Sequence, residues 1–149
     1  MTKFIKESVI RASCEKVFAF HELPDARDRL LSPWENAKVI QAADISKIGS
    51  RAIIETKIFG IFPITWVVEH TAFDAPRMFE EVQISGPFRT WRHRHIIEPS
   101  SQGSLLTDEI VYEMPLQFFG PLAAPIAMRP KLSEIFDYRH EITRKWCEE

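Results

Sequence analysis

The sequence has few cysteines, no strong excess of either charge and no long apolar run. Two cysteines in 149 residues cannot form the disulfide framework of a small secreted domain, so a reducing, cytoplasmic location is expected. A net charge of −2 gives no basic surface for nucleic acid or for an anionic membrane. Charges at Lys3, Lys6 and Arg11 exclude the apolar core of a signal peptide. The sequence contains no apolar segment long enough to span a bilayer, so no stable membrane insertion is expected.

Aromatic residues are abundant instead, with 11 Phe, 4 Trp and 2 Tyr. Any one of them is expected to belong to an ordinary core, but the set is large enough to line an apolar cavity. The hydrophobic fraction of 45% and the charged fraction of 27% are typical of globular proteins. The length fits one domain over residues 1–149.

Turn-forming residues divide the chain into short elements. Gly49, Gly60, Pro76, Gly86 and Gly103 separate the apolar segments of its middle part. The predicted strands are residues 2–11, 37–43, 51–59, 63–73, 77–85, 88–98 and 104–114. Short helices are predicted at 14–21 and 24–31, and a long one at 130–147. Consecutive strands joined by short turns indicate an antiparallel meander.

The apolar segment 115–128 contains three prolines and a glycine. It is too short and too interrupted to span a bilayer, so an ordered flap is expected, with a membrane-touching loop as the alternative. Residues 117–128 are predicted to gate a binding pocket, because loops of this kind often close over ligands.

Alternation along the strands separates an inner from an outer face of the sheet. In strand 88–98, Arg92 and Arg94 belong in water, so the alternate set faces inward: Trp91, His93, His95 and Ile97. The inward set of the strands is Trp66, His70, Trp91, His93, His95, Asp108 and Tyr112. A carboxylate and up to three imidazoles therefore share an apolar face, where buried charge is costly unless it is paired.

The hairpin of strands 88–98 and 104–114 has two acceptable registers. One places Asp108 opposite His95 and Trp91 opposite Tyr112, and the other places Asp108 opposite His93. In both, a carboxylate lies near an imidazole inside the fold, because facing residues must share a face.

The C-terminal helix presents Phe136 and Arg139 on its apolar face. Arg139 is unusual there. It is either a buried arginine satisfied by Asp108 or by backbone carbonyls, or an anchor for a ligand carboxylate or phenolate.

Several different short motifs, distributed over almost the whole chain, indicate a family resemblance. They are Pro33-Trp34; Gly60-Ile61-Phe62-Pro63 with Trp66; Pro76 with Phe79 and Gln83; Gly86-Pro87-Phe88 with Trp91, His93 and His95; Thr107-Asp108 with Tyr112 and Pro115; and Ile135-Phe136 with Tyr138-Arg139. With these motifs the chain resembles the START and birch-pollen-allergen superfamily, also called SRPBCC. Within it, the chain looks like a bacterial subgroup of ligand-binding or polyketide cyclase/dehydrase-like proteins.

The resemblance implies an α+β helix-grip fold. In that fold a curved antiparallel sheet of about seven strands wraps a long C-terminal helix, and two short helices follow the first strand. It also implies that Phe79, Glu81 and Gln83 line the pocket, whereas alternation alone would bury Met78, Val82 and Ile84 of the same strand. Glu81 stands where an aspartate is typical of the subgroup.

Two functions follow, and the first is favoured. A carrier or sensor, for instance in lipid transport, would hold an apolar lipid-like, aromatic or polyketide-type molecule between sheet and helix. Trp66, Trp91, Tyr112 and Phe136 are predicted to line this cavity. The alternative is a cyclase or dehydratase, in which His93 or His95 with Asp108 acts as general base and Tyr112 or Arg139 stabilises an enolate or phenolate.

A metal site is a third interpretation, because His93 and His95 lie on one strand face. His70, Asp108 or Glu81 could be the third ligand, but no spacing signature selects one. Two hydrogen-bonded histidines without metal or other cofactor are therefore expected, and the oligomeric state is not predicted.

Overall fold

The computed structural model describes residues 1–58 and 60–149, with side chains described at all of these positions except 58 and 116–127. The elements are β1 (Thr2–Ile10), α1 (Cys14–Glu22), α2 (Ala26–Leu30), β2 (Lys38–Gln41), β3 (Arg51–Ile58), β4 (Phe62–Asp74), β5 (Met78–Ser85), β6 (Thr90–Ser100), β7 (Gly103–Glu113) and α3 (Leu116–Glu148). The predicted flap is wrong as an irregular segment, because residues 116–128 form the first part of α3, which begins well before the predicted residue 130. Side chains at 116–127 are not described, so the gating role stays a prediction.

The strands form an antiparallel sheet in the order β1-β7-β6-β5-β4-β3-β2. Strands β2 to β7 are a meander, as predicted, and β1 joins its far edge by pairing with β7. A register shift between His70 and Ala72 of β4 marks a bulge, which bends a strand and increases its twist. Seven strands, two short helices after β1 and a long final helix confirm the α+β helix-grip fold.

Two apolar clusters pack on the inner face of the sheet. The first contains Ile10, Val17, Phe18, Phe20, Phe79, Ile97, Leu106 and Cys147, and the second contains Phe4, Phe88, Trp91, Ile110, Tyr112, Leu132 and Phe136. Along β7, Asp108 lies between Leu106 of the first and Ile110 of the second. A polar zone therefore separates the two clusters.

The inner face is the predicted one on β6 and β7, but not on β5. Phe79 and Glu81 are buried, while Ile84 is 46% exposed. Burial by alternation alone is therefore wrong for β5, because a charged residue on its inner face is paired inside the fold. The inner placement of Phe79 and Glu81 implied by the family resemblance is confirmed.

Local chemistry fixes the entry into α1. The Ser13 Oγ accepts a hydrogen bond from the Lys16 N–H at 3.2 Å, which caps the helix. Within the described part of the chain, no helix combines the length and apolar character that crossing a bilayer requires.

Candidate functional site

All five histidines of the chain are buried, with exposed fractions of 1–9%. They are His21 on α1, His70 on β4, His93 and His95 on β6, and His140 on α3. They lie around two buried carboxylates, Asp108 on β7 and Glu81 on β5. We call these seven residues the histidine cluster. A protein interior tolerates so many ionisable groups only when they satisfy one another.

Asp108 is the centre of the histidine cluster. Its Oδ1 lies 2.7 Å from the His93 Nε2, and its Oδ2 lies 2.6 Å from the His140 Nε2. The His95 Nδ1 is 2.8 Å from Oδ1 but lacks the alignment of a hydrogen bond. One carboxylate thus has three imidazoles in contact.

The strand register is the first of the two predicted. His95 stands opposite Asp108, and Trp91 stands opposite Tyr112. The aligned hydrogen bond nevertheless goes to the diagonal neighbour, His93. Diagonal pairs lie within reach of long side chains, so both predicted contacts occur in one register.

Glu81 forms the second anionic position of the cluster. Its Oε2 lies 2.5 Å from the Arg27 Nη2 and 3.8 Å from the His70 Nε2. Its Oε1 lies 3.6 Å from the His93 Nδ1. His93 therefore bridges Glu81 and Asp108 through its two ring nitrogens.

The protonation states follow from burial and partners. Burial opposes charge on His93, but the hydrogen bond to Asp108 and the negative charges of Asp108 and Glu81 outweigh it and raise the pKa of His93. Burial and the neighbouring His93 lower the pKa of His95 to about 3. Burial also lowers the pKa of His21 and His70. His93 is thus the histidine favoured to carry a proton, with neutral imidazoles beside it.

Both carboxylates remain ionised despite their burial. Burial raises the pKa of Asp108, but the surrounding histidines outweigh it and hold that pKa well below its usual value. Burial likewise raises the pKa of Glu81, and the Arg27 guanidinium together with His93 and His70 brings it well below normal. A proton on His93 between two anions can be given to a bound molecule and taken back.

A cavity of about 400 Å³ borders this cluster. Its wall is largely apolar and comes from β3, β4, β6 and α3, including Ile54, Trp66, Phe88, Trp91, Met114, Met128, Leu132, Ile135 and Phe136. Its polar wall consists of Arg27, Glu35, Glu81, His93 and Arg139, with lysines and an asparagine besides. A mostly apolar cavity with a few convergent polar groups is typical of a small-molecule site.

A smaller cavity of about 60 Å³ lies on the other side of the same polar residues. His21, His70 and His95 contribute to its wall. Arg27, Glu81, His93 and Arg139 line both cavities. These four side chains therefore lie between the larger, apolar cavity and the smaller one.

In addition to Arg139, five of the predicted site residues line the larger cavity. They are Trp66, Glu81, Trp91, His93 and Phe136. His70 and His95 line the smaller cavity, and Asp108 is buried behind the histidines without lining either. The cluster is thus brought together, but only part of it reaches the larger chamber.

Two predicted lining residues do not line either cavity. Tyr112 is 1% exposed and is covered by Phe88 and Trp91, with ring centroids 5.8 and 6.4 Å away. It faces inward, but these two rings lie above it. Gln83 turns its amide to the backbone of Phe88, donating to the carbonyl at 2.7 Å and accepting from the N–H at 3.2 Å. Gln83 stabilises the turn that carries Phe88.

The turn before β6 also requires a residue without a side chain. A Cβ at Gly86 would collide with the Trp66 indole and the Gln83 amide. Gly86 therefore lets the turn lie directly against Trp66, whose ring is 5.2 Å from that of Trp91. The glycine and glutamine together position the aromatic wall.

Arg139 has a different partner from those predicted. Its Nη2 donates to the Glu35 Oε1 at 2.8 Å, and its guanidinium lies 5.0 Å from the Phe136 ring centroid. Glu35 is itself held by the N–H and hydroxyl of Ser32, at 2.6 and 2.8 Å. Pairing with Asp108 is wrong, because the three histidines occupy that carboxylate.

Sequence reasoning missed His21, Arg27, Glu35 and His140. For His140 a signal existed, since it lies four residues after Phe136 and shares its helical face. Arg27 and Glu35 lie in the segment between β1 and β2 and meet partners more than 50 residues away in the chain, with separations of 54 and 104. No local pattern predicts such pairs.

Comparison with solved structures finds similar folds at low identity. Protein CV1439 from Chromobacterium violaceum superposes with a TM-score of 0.72 at 14% identity, over 100% of this chain and 99% of that one. The di-domain ARO/CYC StfQ from the steffimycin biosynthetic pathway gives 0.77 at 12% identity, over 98% of this chain and 50% of that one. The AHSA1-like protein from Aeromonas hydrophila gives 0.67 at 13% identity, over 99% and 92%.

These likenesses support the fold expected from the SRPBCC resemblance, and at such identity they support the fold alone. No curated protein matches the sequence. A family model described as a domain of unknown function, DUF8410, matches residues 8–146. That match spans nearly the whole chain, which therefore belongs to the DUF8410 family.

Proposed function

We propose that this chain is a single ligand-binding domain that holds an apolar small molecule in the cavity of about 400 Å³, as a carrier or sensor. The aromatic wall of that cavity is the observation on which the proposal rests. Pockets for small ligands have volumes of roughly 300–1,000 Å³, so the chamber is of suitable size. Free thiols at Cys14 and Cys147 fit a reducing compartment such as the cytoplasm.

The chemistry of the wall favours an aromatic or polyketide-type ligand over an aliphatic chain. Trp66, Phe88 and Trp91 form a contiguous ring surface, with centroid separations of 4.5–5.8 Å. Offset and edge-to-face contacts with such rings stabilise planar aromatic molecules beyond simple area burial. Among the described residues, the indole N–H groups of Trp66 and Trp91 are buried without a hydrogen-bond partner.

The charges of the wall favour a neutral ligand. Arg139 is paired with Glu35, and Arg27 with Glu81. An anionic ligand would have to displace a carboxylate from one of these arginines, leaving it buried without its partner. That exchange is unfavourable unless the carboxylate is moved into water.

An enzyme of the cyclase or dehydratase kind is the second candidate. The observation that favours it is the position of His93, whose pKa is raised and whose ring lines the larger cavity. His93 would transfer the proton, with Asp108 and Glu81 holding its ring. Arg139 could stabilise an enolate, whereas Tyr112 is covered by other rings. The ARO/CYC name of one structural neighbour motivates this alternative.

Probe binding to two tryptophan variants tests the ligand-binding proposal. Nile red, a neutral aromatic dye, should bind the wild-type chain saturably at one site. Ile135→Trp adds volume to the cavity wall and should weaken binding at least tenfold. Ile84→Trp adds the same group at a position that is 46% exposed and outside the cavity, and should leave binding unchanged. Equal binding by the three proteins would refute the cavity as the site.

His93→Gln separates the two candidate functions. For a carrier, this variant should keep most of its affinity for a neutral aromatic ligand. For an enzyme, it should lose turnover of a poly-β-ketone substrate while still binding it, because the proton donor is gone. The ratio of turnover to affinity therefore distinguishes chemistry from storage.

A further inference from the structure

We propose that His93, His95 and Asp108 form a binding site for a divalent transition-metal ion of the zinc or iron(II) class. The sequence places two histidines on one strand face but does not select a third ligand. The structure brings Asp108 from the neighbouring strand into that position. Two imidazoles and one carboxylate are a recurring ligand set for such ions, and they leave coordination positions free. The site is separate from the apolar wall that carries the proposed ligand-binding function.

The donor atoms converge on one point. The His93 Nε2 and the His95 Nδ1 lie 2.7 and 2.8 Å from the same oxygen, Asp108 Oδ1. One donor atom from each of the three residues lies within 4.8 Å of the others, and all three residues are buried. Metal–ligand bonds of about 2.0–2.2 Å place neighbouring donors slightly farther apart than hydrogen-bonded atoms. A small outward movement of the side chains therefore admits the ion.

The remaining polar atoms of His93 and Asp108 contact further polar groups, as the outer coordination shell of a metal site does. The other nitrogen of His93, Nδ1, faces the Glu81 Oε1 at 3.6 Å. The other oxygen of Asp108, Oδ2, is 2.6 Å from the His140 Nε2, and the His140 Nδ1 is 2.8 Å from the Ser8 Oγ. Metal-binding histidines usually donate their remaining N–H to a carboxylate or similar acceptor, and ligating carboxylates are hydrogen-bonded in turn.

A purely hydrogen-bonded cluster explains these contacts less completely. The His95 Nδ1 is buried and close to Asp108, yet it makes no aligned hydrogen bond within the described residues. A buried ring nitrogen without a hydrogen-bond partner is costly. A metal ion would accept the lone pair of this nitrogen and remove that cost.

The smaller cavity gives the ion room for a water ligand. His93 and His95 both line it, and its volume is about 60 Å³, whereas one liquid water occupies about 30 Å³. The donor set contains no thiolate and only one carboxylate, so it suits zinc or iron(II) better than calcium or magnesium.

Equilibrium dialysis of the metal-free chain against Zn²⁺, followed by elemental mass spectrometry, tests the proposal. The expected result is one ion per chain. His95→Gln should weaken binding at least a hundredfold. His140→Gln removes only the group behind Asp108 and should weaken it by about 10- to 100-fold. Asp137→Asn changes an exposed carboxylate outside the histidine cluster, paired with Lys6, and should retain the wild-type affinity.

A second measurement uses only the wild-type chain, in case a variant fails to fold. Long-range proton–nitrogen NMR should show the His93 Nε2 and the His95 Nδ1 shifting on addition of Zn²⁺, while the nitrogens of His21 stay unchanged. An unchanged affinity in His95→Gln, no bound ion in the wild type, or shifts confined to other residues would each overturn the metal site. None of these results depends on Nile red binding, so this inference can fail while the proposed function stands.

Discussion

Replacing Asp108 with asparagine should lower the pKa of His93 by about one to two units. The substitution removes the charge at the centre of the histidine cluster but nearly preserves size. In the wild type, the His93 Nε2 lies 2.7 Å from Oδ1, and both residues are buried. A hydrogen bond to a charged group contributes about 1.5–3 kcal/mol. One pKa unit corresponds to about 1.36 kcal/mol, which gives the predicted change.

An NMR titration of metal-free protein measures this change directly. The ring protons of His93 are followed with pH in the wild type and in Asp108→Asn, with a chelator present. Glu81→Gln should lower the same pKa less, because Glu81 is 3.6 Å from the ring rather than 2.7 Å. Asp137→Asn removes an exposed carboxylate paired with Lys6 and should change nothing. Identical His93 titrations in the wild type, Asp108→Asn and Glu81→Gln would refute the reasoning.

Three further predictions concern stability and selectivity. Gly86→Ala should destabilise the fold by about 1–3 kcal/mol in urea unfolding, because its Cβ meets Trp66 and Gln83; an unchanged unfolding midpoint would contradict that packing. Glu35→Gln releases Arg139 from its partner, so a fatty acid should gain affinity relative to its methyl ester; equal gains would show that the arginine does not reach ligand. The free energy of unfolding should fall as pH decreases below about 6.5, because burial lowers the pKa of three histidines in the folded chain. A free energy of unfolding that stays constant from pH 7 to 5 would contradict the burial of these histidines. Those three histidines are His21, His70 and His95.

Protonation of His93 affects the free energy of unfolding in the opposite direction, so His93 reduces the stability at higher pH. Its pKa is raised in the folded chain, so its contribution is complete below the unfolded value of about 6.5 and is lost as pH rises through the folded value. Asp108 has a lowered pKa, so its contribution is present above its unfolded value of about 3.9 and is lost as pH falls through the folded value.

The fold could be predicted because the strands and turns are locally encoded. In β6, Arg92 and Arg94 alternate with buried residues, so the inner face follows from period two alone. In β5 the same rule fails, because Glu81 is buried against an arginine 54 residues away. Alternation assigns the more charged face of a strand to solvent, and for β5 only the family resemblance indicated the opposite.

The candidate site could be predicted as a set of inward residues but not as a surface. Tyr112 and Asp108 both face inward as predicted, yet neither lines a cavity. Inward direction depends on strand alternation, whereas exposure to a chamber depends on which side chains lie above. Phe88 and Trp91 cover Tyr112, and three histidines cover Asp108. These contacts depend on the tertiary structure rather than on the local sequence. The pairing of Arg139 with Glu35 is likewise set by the path of the segment before β2.

The histidine cluster is costly for a fold that could be filled with apolar side chains. Buried ion pairs replaced by well-packed hydrophobic residues often leave a protein equally stable or more stable. Here apolar clusters pack on both sides of the polar zone, with Ile97 and Leu106 on one side and Ile110 on the other. Extending them through the positions of His93, His95 and Asp108 would remove the desolvation penalties of these three residues. Local departures from an apolar core that bring no stability are expected at functional sites. The polar zone, which adjoins a chamber of about 400 Å³ through His93, is therefore better explained by binding or proton transfer than by folding.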